Sequence, residues 1–114
     1  MRFLVMVKAT DLSPGQGPTA AMGAFNAALE RDDMLLAAEG LTLTGTRISF
    51  AGDKPVVTDG PFAESKEVVA GFWILQGRSE EEIVERLLQC PFERGEGVEI
   101  RQIAGGRKFG QNSG

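Results

Sequence analysis

The side chains of this sequence that could support chemistry gather around one stretch, Val57-Thr58-Asp59-Gly60-Pro61-Phe62-Ala63-Glu64-Ser65-Lys66-Glu67. Asp59 is a carboxylate that could act as acid, base or ligand anchor at the mouth of a cleft. It can equally be a turn residue, accepting hydrogen bonds from amides two residues on, while Gly60 supplies an unusual backbone angle and Pro61 locks the next one. Phe62 reads either as a plug for the end of the core or as a platform for a substrate. Glu64 and Lys66, two apart on an extended segment, share a face; they can line a site or simply pair in solvent for about 0.2–1 kcal/mol. Elsewhere, Glu39 before Gly40-Leu41 is a second acid in a glycine-containing turn, placed where it could share a cleft with Asp59. Arg47 either clamps an anionic ligand or stands as a solvated charge.

What the sequence lacks removes more chemistry than these residues supply. It contains no histidine, no tyrosine and a single cysteine, Cys90. Without an imidazole there is no Ser-His-Asp or Cys-His arrangement, no carboxylate-histidine-metal site and no histidine-ligated haem. Neither a metal nor a cofactor is therefore expected. A lone cysteine forms no intramolecular disulfide or CxxC pair, and Cys90, ending an apolar helical stretch just before Pro91 with no base beside it, reads as a core thiol. Gly15, Gly17, Gly105 and Gly106 are not followed by the Gly-Lys-Ser/Thr of a phosphate loop. Twelve lysines and arginines against 16 aspartates and glutamates give a net charge of −4, opposite to the footprint of a nucleic-acid binder. The apolar run between Met1 and Lys8 is too short for a signal-peptide core or a membrane span. The expected location is the cytoplasm, with neither nucleic acid nor membrane as a partner.

The elements that must position these residues follow from periodicity. A length of 114 residues, 42% hydrophobic and 25% charged, is one globular domain able to bury roughly two-thirds of its unfolded surface. Phe3 to Val7 is apolar at every position, the signature of a strand covered on both faces. Pro18 stands where a helix begins, and Met22, Phe25 and Leu29 recur at helical spacing as far as Asp32-Asp33. Met34 to Ala38 predicts a second strand. Thr46 to Phe50 and Lys54 to Thr58 predict a hairpin around Ala51-Gly52-Asp53. Val68 to Gln76 is a second strand with two apolar rows, Phe72 and Ile74 against Trp73 and Leu75. Ser79 followed by Glu80, Glu81 and Glu82 is a capping box whose acids suit the positive end of a helix dipole. That helix runs through Ile83, Leu87 and Leu88 towards Pro91, and after the turn region Gly95 to Gly97 the residues Val98, Ile100 and Gln102 alternate with Glu99, Arg101 and Ile103 as a half-exposed edge strand.

This order predicts an α+β fold, the split β-α-β plan of a ferredoxin-like sheet with an inserted β-hairpin, in a single domain over residues 1–103 with a flexible tail over 104–114. Two helices cover only one face of such a sheet. The bare face predicts a homodimer packed sheet to sheet.

Asp59-Gly60-Pro61-Phe62 also carries a resemblance. Together with Gly23-Ala24-Phe25-Asn26, Ala38-Glu39-Gly40-Leu41, Ala70-Gly71-Phe72-Trp73, Cys90-Pro91 and Glu99-Ile100-Arg101-Gln102, it is similar to the DGPF-domain proteins of the wider YCII-related group, over nearly all of Met1 to Ile103. The resemblance implies a bacterial, cytoplasmic, dimeric α/β-barrel of ferredoxin-like subunits and no particular reaction. Members are often encoded beside extracytoplasmic-function sigma factors. YCII-type relatives have a histidine-aspartate pair proposed as catalytic, and a chain without histidine cannot use it. Two functional expectations result. One is a dimeric small-molecule-binding module or cofactor-free enzyme using carboxylates; the other is a regulatory or interaction protein associated with such a sigma factor.

Overall fold

A computed structural model describes residues 1–9, 19–42, 44–59, 68–92 and 95–105. Its elements are β1 (Arg2–Ala9), α1 (Ala20–Arg31), β2 (Leu35–Gly40), β3 (Thr46–Ser49), β4 (Val56–Asp59), β5 (Val68–Gln76), α2 (Glu80–Leu87) and β6 (Gly97–Gln102). β1, β2, β5 and β6 form one sheet in the order β2-β5-β1-β6, and β3 pairs with β4 as a separate two-stranded sheet. Every pairing is antiparallel. The two strands with two apolar rows, β1 and β5, are the central pair. This α+β arrangement is compatible with a ferredoxin-like fold.

Local chemistry explains the helix ends, with two corrections to the sequence expectation. Helix α1 does not open at Pro18: Thr19 is its N-cap, and the Thr19 hydroxyl accepts a hydrogen bond from the Met22 amide at 3.0 Å. A threonine oxygen satisfies an orphan amide, whereas the proline one place earlier in the sequence has no side-chain acceptor to offer. At the other end Asp33 adopts φ 59°, its amide donates to the Glu30 carbonyl and the Met34 amide donates to that of Leu29. These are the paired bonds of a Schellman ending, with an aspartate where glycine is commoner. In α2 the Ser79 hydroxyl accepts from the Glu82 amide at 3.2 Å. Glu82 reaches one residue further back than a simple capping box requires, accepting from the Arg78 amide and from its guanidinium. Those bonds hold the Glu82 carboxyl below its ordinary range, the Arg78 amide contributing most. The helix stops at Leu87; Leu88 caps it and is exposed.

Both helices lie on one face of the sheet. Phe25 and Leu29 of α1 and Ile83 and Leu87 of α2 close over Phe3 and Val5 of β1 and Trp73 and Leu75 of β5. Trp73 is fixed there by geometry as well as burial. Its ring meets Phe25 and Phe92 edge to face, with centroids 6.0 Å apart in each case, and its indole N–H donates to Asn26 Oδ1 at 2.8 Å. A buried indole donor needs such a partner.

Gly71 sets the spacing between β2 and β5. A Cβ there would stand 2.8 Å from the Glu39 carbonyl oxygen, a backbone atom that cannot swing aside. Gly71→Ala is therefore expected to cost about 1–3 kcal/mol by urea unfolding; a loss below about 0.5 kcal/mol would mean that the strands separate freely.

Candidate functional site

The other face of the sheet is set by strand alternation. Leu4 and Met6 of β1 stand opposite Ile74 and Phe72 of β5, all four half-buried, and they point away from the helices. The same register extends each row to the sheet edges. Glu39 of β2 lies opposite Phe72 and Ala37 opposite Ile74, while Glu99 and Arg101 of β6 lie opposite Met6 and Leu4. An apolar floor thus has a carboxylate at the β2 edge and charged groups at the β6 edge. Few polar groups around an apolar surface is the usual composition of a small-molecule site.

The β6 side is an ion-pair cluster. Lys8 donates to Glu99 at 2.8 Å, and Arg101 lies 3.5 Å from the other Glu99 oxygen. The Lys8 hydrogen bond, with its charge, pulls the Glu99 carboxyl below the usual carboxylate range, and Arg101 adds to this. Glu99 is thus held as an anion fixed by two cations, suited to orienting a polar group and not to storing a proton. Sequence reasoning did not single out Lys8, Glu99 or Arg101. The signal available was the alternation of Glu99 and Arg101 along β6, which puts both on one face.

The residues singled out from sequence divide in position. Glu39 is exposed at the rim of the floor. Asp59 ends β4, where its carboxylate accepts a hydrogen bond from the Thr46 hydroxyl at 3.2 Å, an exposed cross-strand pair. Arg47 faces Thr58 across the hairpin while Asp59 faces Thr46, so Asp59 and Arg47 project from opposite faces of it. Glu39 and Asp59 sit in different sheets, with no hydrogen bond between them among the described residues. Phe62, Glu64 and Lys66, like the amides of the turn after Asp59, lie outside the described residues.

Two other places gather polar or reactive groups. A depression of about 350 Å³ between the end of α1 and helix α2 is lined by Asp32, Met34, Glu82, Glu85, Arg86 and Gln89. The Arg86–Asp32 ion pair at 2.6 Å occupies its cation, and none of the residues expected from sequence lies there. Cys90 is partly buried, its sulfur 3.9 Å from that of Met22. Burial first, then the charge of Glu96, pushes its thiol up to about 12. A thiol so poorly ionised at neutral pH is a packing group. Among the described residues no cluster of three or more acids or cysteines is arranged to hold a metal ion. No described helix is long and apolar enough to cross a membrane.

Sheet order, one-sided helix layer and rimmed apolar floor define a small α+β domain whose open sheet face is its most site-like surface. The model of the YCII-related domain matches residues 1–105, and the chain belongs to that family. No curated protein matches it.

The Cys90 environment is directly testable. Because the folded state raises the thiol's pKa, its neutral form favours folding at all pH values below the unfolded pKa near 9, and that contribution fades as pH climbs from about 9 through about 12. Alkylation at pH 8.5 is expected to be on the order of a thousandfold slower in the folded than in the denatured chain, the ratio of the two thiolate fractions. Equal rates would show a solvated thiol.

Proposed function

We propose that the protein works as a homodimeric small-molecule module, two copies closing their open sheet faces towards each other as a dimeric α/β-barrel. The observation that carries this reading is the half-buried floor of Leu4, Met6, Phe72 and Ile74, on the sheet face away from both described helices, between Glu39 and the Lys8–Glu99–Arg101 cluster. Apolar side chains in the middle of a sheet are stabilised only when something displaces water from them. A second copy brings the same floor and a matching rim. The space between the floors then holds a small ligand with an apolar body and polar ends, contacted by carboxylates and cations. Any reaction there draws on carboxylate acid-base chemistry without a cofactor, with Asp59 and Glu39 as the groups to move protons. The remaining sequence candidates, Arg47, Phe62, Glu64 and Lys66, would then bind the ligand and not the proton. The module acts in the cytoplasm of a bacterium.

A second reading has its own support. Residues 30–33 and 78–86 hold seven acids against three arginines, an excess equal to the whole chain's net charge of −4. This acidic helix layer would suit a basic protein surface, such as that of an extracytoplasmic-function sigma factor. A pull-down at low salt that recovers no such partner removes this reading.

Light scattering at micromolar concentration is expected to give the mass of two chains for the native protein and of one for Phe72→Glu, with unchanged helical circular dichroism. A native monomer, or a dimer indifferent to Phe72→Glu, contradicts the sheet-to-sheet arrangement. For Asp59→Asn, loss of ligand response or turnover with a melting temperature within about 2 °C of native is expected, since an exposed pair of this kind is worth about 0.5 kcal/mol. A fall of several degrees with loss of the dimer would instead assign Asp59 to the turn.

A further inference from the structure

The β3–β4 hairpin is built like a surface that meets something. Its strands pair with each other and not with the four-stranded sheet, and all eight of their residues are exposed. They are nonetheless rich in large apolar side chains. Ile48 is 51% exposed, Val56 57%, Val57 62%, and Phe50 at the strand end 73%. Register places Thr46, Ile48, Val57 and Asp59 on one face and Arg47, Ser49, Val56 and Thr58 on the other. An isolated two-stranded hairpin is marginal in water, and Ile48 and Val57 stand directly opposite each other on one face as an exposed apolar pair.

We infer that the hairpin is an arm that docks on a second copy of this chain, through its Ile48–Val57 face, and carries Asp59 to the rim of the partner's open sheet face. This rests on the dimer reading above and extends it, because the site becomes a shared one. Charge and area select the occupant. Arg47 and Lys54 balance Asp53 and Asp59 in the hairpin segment, and the open sheet face holds Arg2, Lys8 and Arg101 against Glu39 and Glu99. Both surfaces are close to neutral. The chain's negative charge lies on the helix layer, so two copies approach with least repulsion through the hairpin and sheet sides. A stable pair buries about 800 Å² on each partner. A pair that uses both the hairpin and the sheet floor offers more apolar surface towards that than either would alone. Asp59 shares its face with Ile48 and Val57, so docking that face brings its carboxylate into the seam, where Glu39 of the same fold supplies the second acid. Two acids that stand in different sheets within one copy thereby come to serve one cleft.

The double variant Ile48→Ser/Val57→Ser, exposed at both positions, is expected to keep its folded circular dichroism and to weaken the dimer about a hundredfold by sedimentation equilibrium. With p-benzoylphenylalanine in place of Phe50, irradiation is expected to give a covalent dimer, its cross-link mapped to the four-stranded sheet of the other copy, β2 or β6 at its edges included. A native dimer whose affinity ignores the double variant, or cross-links confined to one chain, overturns the arm while leaving the sheet-to-sheet dimer standing. A native protein monomeric at 100 μM, about the upper range for a specific dimer of this size, overturns both.

Discussion

The pairing of β1 with β5 is the interaction on which the other features depend. It places two strands, each apolar on both sides, at the centre of a four-stranded sheet. One side is satisfied within the chain: Phe3, Val5, Trp73 and Leu75 are covered by both helices. The other side repeats the demand with Leu4, Met6, Phe72 and Ile74, and both helices are already committed. A one-layer sheet with apolar surface on its second face is unfinished by itself. The hairpin's exposed Ile48, Phe50, Val56 and Val57 add to the same deficit. A second copy is the simplest solution to both, because each copy offers what the other lacks.

The distribution of charge follows the same division. The helix layer is acidic and solvated, with Glu82 and Asp32 tied to arginines. The open face keeps its charges at the edges, with Glu99 held between Lys8 and Arg101 and Glu39 across the floor. In a water-poor seam such fixed charges interact more strongly than at a free surface. A rim of this kind can orient a ligand's polar ends while the floor holds its body.

Much of this was legible in the sequence, and the parts that were not have physical reasons. Two unbroken apolar runs, Phe3 to Val7 and Phe72 to Leu75, identify the central strands because no half-exposed strand can afford both rows. Which row the helices would take was not legible. It is settled by Trp73, whose indole N–H must find an acceptor and finds Asn26 on α1, a contact 47 residues apart in the chain. The start of α1 was misread because proline is a general helix opener while Thr19 offers a hydroxyl at capping distance. For the two candidate proton-carrying groups the legible signal is acidity near glycine. That criterion found Glu39 and Asp59 but could not see that they belong to different sheets, since strand pairing and not sequence distance decides it. Lys8 is not legible as the partner of Glu99 because that ion pair crosses from β1 to β6 and joins the two ends of the domain.

Cover of the Leu4–Met6–Phe72–Ile74 face by the same face of another copy, as proposed, is tested by isotope-filtered NMR on a sample mixing methyl-labelled and unlabelled chains. Nuclear Overhauser contacts from the methyls of Leu4, Met6 and Ile74 to protons of the other chain, with those methyls shielded from a soluble paramagnetic probe, are the predicted result. Methyls that show no interchain contact and relax freely in the presence of the probe would contradict it.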